Sequence, residues 1–80
     1  AILSIWPNPA SDFVQLEFPQ DVVPHNLILL DAYGRTVRES LNPNTQNKLT
    51  IGIQGLANAV YYIASTKDRK LVGRFIVNKP

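Results

Sequence analysis

The sequence predicts an all-β fold, a sandwich of seven short antiparallel strands. Two observations carry that reading. Apolar runs of strand length recur between turn-forming clusters about every 8–12 residues, and no stretch keeps a helical period. Five of the six prolines of the 80 residues fall between those runs and the sixth, Pro80, after the last, where a missing N–H donor breaks no ladder.

Residues 2–6 read as a first strand, ended by Pro7. Residues 13–18 alternate cleanly, with Val14, Leu16 and Phe18 on one face and Gln15 and Glu17 on the other. Pro19 and Pro24 bracket a loop. Residues 27–31 are apolar up to the closing aspartate, the pattern of a strand covered on both faces. Asp31-Ala32-Tyr33-Gly34 is a turn, with Asp at its favoured first position and Gly free to take the positive φ of a bulge. Residues 35–40 return antiparallel with Val37 as their apolar contact. Asn42 to Asn47 ("NPNTQN") is a loop by composition. Leu49, Ile51 and Ile53 then share a face, and residues 54–58 connect onward. Residues 60–66 and 71–77 are the last two strands, joined at Lys67-Asp68-Arg69. Either Tyr61 and Ile63 or Val60 and Tyr62 can be the inward set.

Eighty residues make a single domain, and one this short buries only about 60 % of its unfolded surface. Apolar residues at 45 % and charged residues at 18 % are globular rather than disordered composition. There is no cysteine, so neither disulfides nor thiolate ligands hold the fold. No apolar run approaches the ~20 residues of a membrane span. The chain starts on alanine without a secretory leader, as expected of a domain, residues 1–80, cut from a longer protein. Charge is uneven. Residues 1–47 hold two arginines against five carboxylates, net −3; residues 48–80 hold six cations against Asp68, net +5. The basic third reads first as a solvated edge and second as a surface for an acidic partner. Its positives lack interleaved aromatics, which argues against nucleic acid.

Enzymatic chemistry finds little support. His25, beside Pro24, is the one imidazole, with no cysteine to pair with it. Ser4 or Ser11 with Asp12 would complete a triad on paper, but no nucleophile-elbow pattern surrounds either serine. Asp12 belongs to a turn and Glu17 to a polar strand face, so they do not make an acid–base pair. No acidic loop with a glycine at its bend suggests calcium. The glycines at 34, 52, 55 and 73 form no phosphate cradle. No cofactor is implied. Trp6 is either a sugar-stacking platform or, as its spacing from the tyrosines favours, a filler at the sandwich end.

Four stretches together, "WPNPASDFVQLEF", "LILLDAYGRTV", "LTIGIQGLANAVYYI" and "GRFIVNKP", have the order and spacing of one family. The chain resembles the C-terminal sorting domains of proteins exported by the type IX secretion system, in their type A form, over essentially its whole length. Residue by residue, the resemblance marks Pro7, Asn8, Pro9 and Ala10 as a first-turn motif. It marks Asp31, Gly34, Arg35 and Val37 as the central hairpin, Gly55, Leu56 and Tyr61 as the late loop and strand, and Lys79 as the basic terminus. Ala59 stands where the family usually has glycine; if that position needs positive φ, alanine costs about 1 kcal/mol. What the resemblance implies is an immunoglobulin-like sandwich that is no enzyme. It would be the address label of a cargo protein fused in cis, which passes through the periplasm to the cell surface or medium. Its partners would be the outer-membrane translocon, a shuttle protein and a cell-surface sortase that removes it. The rival reading is an accessory carbohydrate- or protein-binding sandwich of a secreted hydrolase.

Overall fold

Seven strands in two antiparallel sheets enclose one core in the computed structural model, which describes residues 4–19, 26–44 and 46–80. They are β1 (Ser4–Trp6), β2 (Phe13–Glu17), β3 (Leu27–Leu30), β4 (Thr36–Leu41), β5 (Lys48–Gly52), β6 (Ala59–Ser65) and β7 (Leu71–Val77). His25, Pro24 and the first two residues of the expected opening strand lie outside the described residues. One sheet runs β1-β2-β5 and the other β4-β3-β6-β7. A seven-stranded immunoglobulin constant-type domain keeps its fourth strand in the sheet of strands one, two and five. Here β4 pairs with β3 instead, because the tight turn at residues 31–34 folds it straight back.

Alternation decides which side chains meet. Val14 and Leu16 from β2, and Leu49 and Ile51 from β5, face Leu27, Leu29, Tyr61, Ile63, Phe75 and Val77 of the other sheet. The inward face of β6 is therefore Tyr61 and Ile63, and Tyr62 lies on the outer face. The two-sided cover expected for β3 is present. Leu27 and Leu29 join the main core, while Ile28 and Leu30 pack with Ala64 and Tyr62 on the outer face of the sheet. Among the described residues no polar or charged side chain is buried, so an apolar interior carries the stability.

Two side-chain bonds close one flank of the sandwich. The Arg38 guanidinium on β4 donates to the Gln54 carbonyl at 2.8 Å, beyond the end of β5, and the Gln54 amide donates to the Asp12 carbonyl at 3.3 Å. The other flank is closed by backbone: the Ala10 N–H donates to the Ile76 carbonyl and the Asn78 N–H to the Ala10 carbonyl, a parallel bridge onto β7. Trp6 corrects the expectation of a packed filler. It is 40 % exposed, because β1 pairs Ile5 with Leu16 over the core and turns Trp6, opposite Gln15, to the outer face.

Candidate functional site

The stretch Pro7-Asn8-Pro9-Ala10 is a turn that becomes an edge cover. Both X–Pro bonds in it, Trp6–Pro7 and Asn8–Pro9, are cis. Ala10 is fully buried and bonded to β7 through both its N–H and its carbonyl. The Asn8 side chain adds a third bond, accepting the Ile76 N–H on Oδ1 at 3.0 Å. A strand edge with unpaired donors and acceptors invites further pairing. This segment occupies the Ile76 end of β7.

The central hairpin is organised by Asp31. Its Oδ1 accepts the N–H groups of Tyr33 and Arg35, both at 2.9 Å, and its Oδ2 accepts the Arg35 Nε–H at 2.8 Å. The Arg35 N–H bond above all, with the Arg35 side chain and the Tyr33 N–H, holds the Asp31 carboxyl below the usual aspartate range against an opposing desolvation. Gly34 sits at φ +83, and the Arg35 guanidinium carbon lies 5.2 Å from the centre of the Tyr33 ring, a cation–π contact on an exposed tip. Val37 packs against the main core, as its alternation requires. Asn44 repeats the device before β5: its Oδ1 accepts the N–H groups of Gln46 and Lys48, with Asn47 at φ +60.

The late loop is pinned at both ends. Leu56 is buried and Gly55 takes φ +84. The Tyr61 hydroxyl, near the start of the sixth strand, donates to the Ala57 carbonyl at 2.7 Å. That is the bond of a tyrosine corner, in which the hydroxyl reaches back to the backbone a few residues upstream. The Tyr61 ring stacks on Phe75 at 6.0 Å between centroids. Ala59 is not at positive φ but opens β6 opposite Val77, so the alanine costs no backbone strain. Lys79 is held by reciprocal bonds: its N–H donates to Asn58 Oδ1 at 2.8 Å and the Asn58 amide donates to its carbonyl at 3.3 Å.

Strand register carries these positions to one end of the sandwich. Leu30 pairs with Tyr62, Ala59 with Val77 and Phe13 with Gly52, so the 31–35 turn, the 54–58 loop, the tail and the 7–10 segment are neighbours in space. The basic residues do not gather there. Of the cations in residues 48–80, Lys67, Arg69 and Lys70 occupy the β6–β7 tip at the other end, and Lys79 lies with the motifs, where Arg35 also stands. Asp12 and Glu17 stand at opposite ends of β2, and no group of three or more potential metal ligands occurs among the described residues.

Residues 4–78 match a family model described as the secretion system C-terminal sorting domain. The chain belongs to this family. Neither a curated protein nor a solved structure gave a match. The sorting domain thus has, at one end, the positions that the type IX resemblance marks. Arg38, Asn44 and Asn58 are structural residues that sequence reasoning passed over. Asn44 had a signal, an Asx residue opening a polar loop; Arg38 and Asn58 bond to groups 16 and 21 residues away, for which no local pattern exists.

Proposed function

We propose that the sorting signal is a surface displayed by the folded sandwich, not a linear tag. The translocon and shuttle protein read it as the cargo passes from the periplasm across the outer membrane. The sortase then separates it from its N-terminal cargo, which is released or anchored at the cell surface. One observation carries this reading: the motif residues are consumed by geometry. Ala10 is buried, Gly34 and Gly55 supply positive φ, and Asp31 and Tyr61 bond to nearby backbone. Such residues shape a surface and are themselves little available to touch a receptor. Leu56 is buried and Val37 packs against the core, and the other motif positions, Pro7, Asn8, Pro9, Arg35 and Lys79, lie on that surface around them.

A core substitution tests it. Phe75 is fully buried, so Phe75→Ala changes no exposed group and should cost about 3–5 kcal/mol, enough to unfold a small domain. Fused behind a reporter in a bacterium with the type IX system, the wild-type domain should deliver cargo to the surface, and the Phe75→Ala fusion should leave it in the periplasm. Normal delivery by an unfolded Phe75→Ala domain would establish a linear signal instead.

A further inference from the structure

Half of the outer edge of β7 is closed and half is open. Asn8 and Ala10 take up the outward N–H and carbonyl of Ile76 and the N–H of Asn78. Outward-facing backbone groups recur at every second residue of an antiparallel strand. The next set back along β7 therefore belongs to Arg74, and no group of the described residues bonds to it from that side.

The side chains around this open stretch are unlike a guarded edge. Leu71, Val72 and Ile76 are 59 %, 38 % and 45 % exposed, half of the six large hydrophobics exposed among the described residues. The opposite edge of the same sheet, β4, is blunted in the ordinary way: Thr36, Glu39 and Ser40 are exposed polar residues and Ser40 sits at φ +57. Both edges carry an irregularity in their pairing, β7 between Gly73 and Leu71, so the contrast between them lies in the side chains. Cations also guard edges, and Arg74 is one; here it stands beside three exposed apolar side chains.

Charge identifies what fits. Between residues 67 and 74 four cations (Lys67, Arg69, Lys70 and Arg74) stand against one carboxylate, Asp68. Among the described residues the sole ion pair is Asp31 with Arg35, so the side chains of Lys70 and Arg74 pair with no carboxylate there. A second copy paired along this edge would set Arg74 beside its own symmetry mate, since a two-fold contact presents the same patch twice. We propose that residues 71–74 of β7 are a pairing edge for a short extended segment of a partner protein that alternates apolar and acidic residues. The ladder supplies main-chain bonds, and the apolar and charged side chains supply the selection. This rests on the sorting reading only for the partner's identity, a component of the export machinery.

The probe is a synthetic peptide of about six residues alternating valine and aspartate, enough to span the open stretch at ~3.3 Å per residue. Added to the isotope-labelled 80-residue chain, it should slow exchange of the Arg74 amide by about tenfold, the mark of ~1.4 kcal/mol of added protection. The Ile76 amide, already bonded, should not change. Arg74→Glu and, separately, Val72→Lys should each weaken binding about tenfold with the circular dichroism of the fold retained. The same peptide N-methylated on alternate amides should not bind. The proposal is overturned if the Arg74 amide exchanges unchanged, if the N-methylated peptide binds equally, or if protection appears without peptide and grows with protein concentration, the sign of a second copy. A reporter fused to the Arg74→Glu domain separates the two readings. Normal export despite weakened peptide binding would remove the machinery as partner and leave the sorting reading standing. Failure of the wild-type fusion itself to export would strike the sorting reading alone.

Discussion

Gly34 turns the chain at φ +83 with open space where a Cβ would stand, so a larger residue there meets a backbone penalty and no clash. Gly34→Val should destabilise the domain by roughly 1–3 kcal/mol, since a β-branched side chain tolerates positive φ poorly. Gly34→Asn should lose much less, because asparagine visits this region. Equal denaturation midpoints for wild type and Gly34→Val would refute the assignment. Beside it, Asp31 gives the turn a pH dependence of known sign. Its carboxyl is held below the ordinary aspartate range, chiefly by the Arg35 N–H. That stabilisation is complete above the unfolded aspartate pKa and fades as pH falls through the lower folded value. Asp31→Asn keeps the Oδ1 acceptor and loses the charge, so its thermal midpoint should fall less steeply on acidification than that of wild type. Parallel acid limbs would show that Asp31 ionisation is not linked to folding.

Between elements, the bonds that matter most are those tying strands distant in sequence. Asn8 reaches across 68 residues to the Ile76 N–H at the edge of β7. Asn8→Ala should cost about 0.5–1.5 kcal/mol, the net worth of one such hydrogen bond, and should speed exchange of the Ile76 amide while leaving the β3 amides unchanged. Uniform acceleration throughout would mean a loss of global stability without local opening. Tyr61→Phe keeps the stacking on Phe75 and removes the bond to Ala57, so a similar loss, read by urea unfolding, isolates the corner from the core.

For the whole molecule, β7 is an edge strand of its sheet that nonetheless supplies two of the most buried core side chains. Deleting residues 75–80 removes the fully buried Phe75 and Val77 and the β7 and tail partners of Asn8 and Ala10 among the described residues. A domain of this size has no reserve for that loss, so the truncated reporter fusion should be unfolded and retained in the periplasm. Replacing Lys70, Arg74 and Lys79 by glutamine touches no ion pair among the described residues. It should leave the unfolding midpoint within about 0.5 kcal/mol of wild type and slow the appearance of cargo at the cell surface, since exposed charges act mainly on encounter rate. Unchanged export kinetics would place recognition entirely on uncharged surface.

The sequence by itself determined the seven strands, the turn at residues 31–34 and the family. Each is written locally: alternation at Val14 and Leu16 sets a buried face, Asp and Gly set a turn, and a motif's order survives in one dimension. The inward face of β6 was not legible, because "AVYYIAS" is apolar at nearly every position and only the opposing sheet selects Tyr61 and Ile63. Trp6 was misread for the same reason, since β1 is too short to declare which side faces the core. Pro7 to Ala10 could be recognised as a turn, but its pairing with β7 joins the two ends of the chain. Only the tertiary structure brings those ends together, because burying the two sheet faces against each other fixes which edges become neighbours.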